Sequence, residues 1–277
     1  MLHIIQENVF REEHYDDIIY AIDRLGLDYK IVRVYPYIDK AVEVKDIPDN
    51  YLGDIDDLPD VSIGDAEKVW CWGSLKISRY AKIRGWTPGV IIDDNYDYTE
   101  YSKWWKDYLL NWDSTIQKLS DPIDFNNGLK FLRPTADSKA FTGAVYDEEK
   151  WNNTKKAYLD DVSYSQFSSD TLIQVSSVKN IQKEIRLWIV NKTVITGSIY
   201  QLNGRFHTNP DIDPEATQFA NKVIARGNLA DAWVLDVCLS NGEWKVMEAG
   251  CINHAGFYKA DLQKLVIAIE DHYDYFV

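Results

Sequence analysis

Two acids, Asp236 and Glu248, lie near the ends of the two arms of a segment that reads as a β-hairpin, DVCLSNGEWKVMEAG. Trp233, Leu235 and Val237 alternate on the first arm, Asn241-Gly242 is a favoured two-residue turn, and Trp244, Val246 and Glu248 alternate on the second. Pairing across the turn puts the acids on neighbouring strands. Carboxylates so placed can hold Mg²⁺ while leaving positions for phosphate oxygens. An ordinary hairpin with two solvent-facing acids has the same pattern. Upstream, Glu184 and Arg186 stand two apart in the strand-like run EIRLWIV and so face one side, as an active pair or as an ion pair on a solvated face. Gly73-Ser74 ends a short apolar strand and opens a basic helix. Its backbone N–H groups could receive an anion there, and Ser74 is equally a plain N-cap.

The elements that must position these residues follow from pattern and punctuation. The chain has 277 residues with 45% apolar and 27% charged content, typical of a globular protein with about two domains. A net charge of −14 argues against sequence-independent nucleic-acid binding, which needs cations to neutralise phosphates. Three cysteines, Cys71, Cys238 and Cys251, show no metal-ligand spacing and no partners in triad order, so they read as reduced thiols of a cytosolic protein. No apolar run is long enough to span a membrane, and the first residues lack the layout of a signal peptide.

In order, LHIIQEN predicts a strand, Arg11 to Leu25 a helix stopped by Gly26, YKIVRVY a second strand and VWCW a third. LKISRYAKIRGW predicts a helix, GVIID a fourth strand, and Tyr101 to Trp112 an aromatic helix. Strands alternating with helices predict an α/β layer with a mostly parallel sheet. After Asp121-Pro122 the character changes. LKFL, TLIQVSSV, EIRLWIV and TVITGSIY are strand-like, WNNTKKAYLDDVSY and PEATQFANKVIAR are helical, and a last helix runs from Ala260 to Tyr273. The expectation is an α/β N-terminal domain over residues 1–122 and an α+β domain over 123–277.

Four pieces stand in one order: KFLRP with a Lys-bearing loop, IQVSSV, EIRLWIVNKTVI, and the two acids with an Asn beyond. That order resembles the ATP-grasp superfamily over about residues 126–277, and the segment GSLKISRYAKIRGWTPG looks like the preceding domain of phage-type members. The resemblance implies a two-lobed fold clasping ATP with Mg²⁺, and ligation of a carboxylate to an amine or thiol through an acyl phosphate. A kinase of the same fold and a nucleotide-binding protein without turnover are the alternatives. It places Arg133 where a phosphate-binding Lys stands, a sound replacement because the planar guanidinium binds phosphate oxygens bidentately. Lys139, in the loop TADSKAFTG, would contact the transferred phosphoryl group, with hydroxyls from Thr135, Ser138 and Thr142 nearby. Gln174, Val175 and Ser176 would form the hinge that reads adenine. Glu184 would face the nucleotide, and Arg186 the transferred phosphate or substrate carboxylate.

Asp236 and Glu248 match the metal acids. The Asn expected two residues after Glu248 is Gly250, so Asn253 is the expected third ligand, with His254 the other possibility. Arg205 and Ser74 are weaker candidates for substrate contacts, and His207 and Asn209 have no assigned role. The substrates would be ATP, a carboxylate and an amine of unspecified identity, in the cytoplasm (of a host cell if the chain is of phage origin). Neither membrane association nor general nucleic-acid binding is expected, and the oligomeric state is not legible.

Overall fold

A computed structural model of the chain describes residues 1–7, 15–136, 141, 143–160 and 168–275. The first sheet is built on two central strands whose residues are buried at every position, as in a parallel sheet covered on both faces. Its strands are β1 (Leu2–Gln6), β2 (Tyr29–Tyr35), β3 (Lys40–Glu43), β4 (Val69–Trp72) and β5 (Pro88–Gly89), and helices α1 (Tyr15–Arg24) and α2 (Leu75–Arg84) connect them. The order is β3-β2-β1-β4-β5, parallel except for the β3 edge, as alternating strands and helices predict. Of the run GVIID only Gly89 pairs, together with Pro88 before it, because the segment after Gly89 turns away toward residues of the second part. Helix α3 is Tyr98–Trp105, not 101–112. Asp97 caps it by accepting from Thr99 N at 2.8 Å, and a left-handed Lys106 (φ 43°) ends it.

Two antiparallel sheets follow. The smaller contains β6 (Thr115–Lys118), β7 (Lys130–Pro134), β8 (Ala144–Tyr146) and β9 (Leu172–Ser177) in the order β6-β9-β7-β8, with α4 (Glu148–Asp160) after β8. The larger contains β10 (Ile181–Val190), β11 (Thr193–Leu202), β12 (Arg205–Asn209), β13 (Ala232–Ser240) and β14 (Glu243–Cys251), ordered β12-β11-β10-β13-β14. Helix α5 (Pro214–Arg226) joins β12 to β13, and α6 (Leu262–Glu270) follows β14. Strand β6, N-terminal to residue 122, belongs to the smaller sheet, and α3 packs in the core beneath the larger one.

The larger sheet is covered on both faces. Ile185, Leu187, Ile189, Leu235 and Val237 pack with Trp105 of α3 and with α5. On the other face Trp188, Val190 and Val234 join Trp70, Trp72, Ile18 and Ile22 from the N-terminal sheet and its helix α1, and Leu265 and Ile269 from α6. Fully buried polar groups pin this seam. Trp72 Nε1 donates to His3 Nδ1 at 3.1 Å, so the other ring nitrogen carries the proton and donates to Glu270 at 2.7 Å.

Asn253 lies in a one-turn 3₁₀ helix after β14. Its Nδ2 donates to Cys71 O at 2.7 Å, its Oδ1 accepts from Ile91 N at 2.9 Å, and its backbone O accepts from Gly73 N at 3.1 Å. Truncation would leave Cys71 O and Ile91 N buried without this partner. Asn253→Ala is therefore expected to lower stability by about 3 kcal/mol, measured by urea unfolding. A loss below about 0.5 kcal/mol would mean that the seam does not depend on it.

Candidate active site

The centre of the larger sheet holds two charges that must satisfy each other. Arg186 on β10 and Asp236 on β13 are register partners, and the guanidinium donates from Nε and Nη2 to the two carboxylate oxygens, both at 2.8 Å. The Asp236 side chain is 3% exposed, so this bidentate pairing is the condition for its burial. Tyr200 and Tyr258 stack at 5.0 Å between centroids, and the Arg186 guanidinium lies over both rings. Burial by itself would favour the neutral guanidine, but Asp236 outweighs it and holds Arg186 charged.

Glu248 reaches this site through a bulge. From the Asn241-Gly242 turn, Ser240 pairs with Glu243 and Val237 with Val246, a register that would set Asp236 opposite Met247. The register slips by one residue there, so Asp236 pairs with Glu248 and Leu235 with Ala249. Strict alternation would have put Glu248 on the same face as Val246, which is in the core under the sheet. The extra residue turns Glu248 to the face of Asp236. A second slip lies between Glu184 and Ile185 on β10, where Tyr200 is the extra residue on β11. The two bulged side chains meet, with Tyr200 Oη 3.9 Å from Met247 Sδ and 3.4 Å from Asp236 Oδ2.

The smaller sheet faces these acids across a cleft of about 640 Å³. Arg133 on β7 crosses it, with its Nη1 2.7 Å from Glu248 Oε2. Glu184, Tyr200, Met247 and Glu248 line one wall, and Phe131, Arg133 and Val145 the other. Arg133, Glu184 and Glu248 thus line one cleft, and Arg186, Asp236 and Glu248 share a smaller recess with His254. His254 itself is bonded to Ser78 on α2 at 2.6 Å. Lys139 and the neighbouring Ser138 and Thr142 lie outside the described residues.

Four sequence expectations are corrected. Gln174, Val175 and Ser176 are not a hinge. They sit inside β9, paired with β6 on one side and β7 on the other, so the ladders occupy their backbone groups. The segment that lines the cleft is the next one, Val178, Lys179 and Ile181, which connects the two sheets. Asn253 is not available to a metal, because both ends of its amide are bonded in the seam. Ser74 caps α2 by accepting from Lys76 N, and its hydroxyl donates to Gln6 Oε1, so it offers no free group to a substrate. Arg205 is exposed where β11 turns into β12 and is not among the residues lining the cleft. Tyr200, Met247, Lys179 and Asn111 were missed. Both bulges interrupt a regular period, and nothing in composition flags them.

Three carboxylates meet two guanidiniums here. Burial raises the Glu184 pKa, hydrogen bonding to Tyr200 opposes this, and the neighbouring charges of Asp236 and Glu248 add to it. Asp236 is also raised, by burial first, although Arg186 opposes the shift. Excess negative charge of this kind suits a cation. Among the described residues no group of three or more His, Cys, Asp or Glu side chains forms a metal site by itself. Two hard carboxylates on register partners do fit Mg²⁺, which binds through one or two carboxylates together with phosphate oxygens.

A family model described as an ATP-grasp domain, the third family of its clade, matches residues 83–269. Solved structures of similar fold include the D-cycloserine synthetase DcsG, 10% identical, with a TM-score of 0.59 and 98% of each chain covered. A RimK domain ATP-grasp protein from Sphaerobacter thermophilus is 12% identical, with a TM-score of 0.58 and 99% of each chain covered. The ATP-grasp ligase PsnB, complexed with a phosphomimetic variant of its minimal precursor, Mg and ADP, is 10% identical, with a TM-score of 0.54 and 98% of each chain covered. No curated protein matches the sequence.

The electrostatics make a testable claim. Folded Glu184 keeps its proton to a higher pH than the ordinary 4.5, so its contribution favours folding at low pH and fades as pH rises through the raised value. Glu184→Gln removes that loss while keeping an acceptor for Tyr200. Its Tm at pH 7 is expected to rise by about 2–4 °C, with a flatter profile between about pH 4 and 8. An unchanged thermal melt series would mean that Glu184 ionises as freely as in solution.

Proposed function

This chain belongs to that family of ATP-grasp domains, and from the membership we propose an ATP- and Mg²⁺-dependent carboxylate–amine ligase. The observation that carries the reading is the cleft between two antiparallel sheets, crossed by the Arg133–Glu248 pair, with the Arg186–Asp236 pair in a smaller recess that shares Glu248. Apolar side chains at one part of the cleft, Phe131, Val178 and Met247, suit a nucleobase, and the charged groups suit phosphates.

In this reading the carboxylate of one substrate attacks the γ-phosphorus of ATP. A P–O bond forms as the bond to ADP breaks, giving an acyl phosphate. The amine then attacks the acyl carbon, phosphate leaves, the nitrogen gives up a proton and an amide remains. No side-chain nucleophile is needed, and the residues position groups and neutralise phosphate charge. Arg133 binds phosphate oxygens through its fork, exchanging Glu248 for the nucleotide. Asp236 and Glu248 would hold Mg²⁺, which supplies Lewis-acid neutralisation of phosphate oxygens when bound. Arg186, locked by Asp236 and two tyrosine rings, offers a fixed positive charge to the transferred phosphate or the substrate carboxylate. In the family resemblance Lys139 contacts the transferred phosphoryl group. Gly250 contributes no side chain, so Mg²⁺ would take its remaining ligands from phosphate and water.

Among the described residues no helix is long and apolar enough to cross a membrane. Calorimetry of ATP with and without Mg²⁺ tests the reading. Wild type is expected to bind ATP in a Mg²⁺-dependent way, and Arg133→Ala to bind roughly 10- to 150-fold more weakly. Glu248→Ala is expected to abolish ADP release in a screen of carboxylates and amines. Failure of the wild type to bind ATP would overturn the assignment, and undiminished Mg²⁺-dependent turnover in Glu248→Ala would overturn the metal site.

A further inference from the structure

Asn111 lies on the segment between α3 and β6, outside every motif that suggested a function. Its residue is 7% exposed, and it lines the same cleft as Arg133 and Glu248. The surrounding bonds hold it firmly. Leu110 N, next to it, donates to Val246 O at 2.8 Å, and the Asn111 backbone O accepts from Tyr98 Oη at 2.9 Å and from Ser114 N at 3.0 Å. One end of the side chain is fixed as well, because Ser176 Oγ donates to Asn111 Oδ1 at 3.2 Å. That leaves the amide nitrogen. Among the described residues Nδ2 has no hydrogen-bond partner.

The nitrogen is not sealed in the core, and a site that fixes both the backbone and the carbonyl end of such a group sets its N–H bonds in a constant direction. The cleft it lines also presents apolar side chains: Leu110, its neighbour in the chain, Val178 on the linker between the sheets, Phe131 on β7 and the bulged Met247 on β14. Charged phosphate would not be matched by one neutral amide among these side chains. A flat heteroaromatic ring fits them, with its edge presenting an acceptor to Nδ2.

We infer that Asn111 reads the nucleobase of the bound nucleotide, its amide N–H donating to a ring-nitrogen acceptor of a purine while Ser176 holds the amide in register. The inference rests on the nucleotide-binding reading of this cleft and adds a side-chain specificity determinant to it. It also gives Ser176 a role. That serine does not contact the base through its backbone, which is spent in β9, but orients the residue that does.

The test compares ATP with ribose 5-triphosphate, which has the same sugar and phosphates and no base, in calorimetry with Mg²⁺. Asn111→Leu keeps the branched outline of the side chain, at a larger volume, and removes both amide groups. It is expected to weaken ATP binding by roughly 5- to 150-fold and to leave ribose 5-triphosphate affinity unchanged. Ser176→Ala, which frees the amide to rotate, is expected to weaken ATP alone and by less. Unchanged ATP affinity in Asn111→Leu overturns the inference and leaves the ligase reading intact. Equal weakening of both ligands overturns it too, because the residue would then be structural or a reader of the sugar. If the wild type binds neither ligand, the nucleotide reading and this inference fail together.

Discussion

A β-strand presents alternate side chains to opposite faces, so a residue two positions from a core residue belongs to the core unless the register slips. In this chain the site depends on two such slips. Met247 on β14 and Tyr200 on β11 each insert one residue, next to the register positions of Glu184 and of Asp236 with Glu248. The slip at Met247 lets β14 contribute Val246 to the core and Glu248 to the cleft within three residues. A regular hairpin would bury the acid among aromatic and aliphatic side chains. It would also leave Asp236 opposite a thioether.

Once the acids share a face, electrostatics dictates what surrounds them. Asp236 can be buried because Arg186 supplies two parallel hydrogen bonds, and Arg186 in turn is flanked by two tyrosine rings. Glu184 has no cation of its own among its main influences, and its raised pKa records the mismatch. The arrangement sacrifices stability for a concentration of charge that a phosphate-bound cation would relieve.

The N-terminal sheet serves this site without lining its main cleft. Its tryptophans Trp70 and Trp72 continue the apolar layer behind Trp188 and Val234, on the same strands and the same sheet face as Arg186 and Asp236. The seam is also polar at chosen points, through His3, Glu270 and Asn253, where a buried donor meets a specific acceptor. Apolar burial supplies attraction between the layers, and these bonds supply register. The strands bearing the site therefore have a rigid backing.

Much of this was legible from residue order. Alternation predicted β10, β11 and β13, helical periodicity with Pro214 and Gly227 delimited α5, and four ordered motifs pointed to the fold and to Arg133, Glu184, Arg186, Asp236 and Glu248. These are consequences of local period and residue type. The sequence could not show that Gln174 to Ser176 are sealed between two strands, because backbone pairing depends on β6 and β7, which are distant in the chain. Nor could it show that Asn253 binds the N-terminal sheet, or that Asn111 lines the cleft with its Oδ1 held by Ser176. Residue type determines which groups can donate, accept or carry charge. Only tertiary structure decides which of them are already satisfied, because hydrogen-bond partners and bulges are set by segments that meet in space.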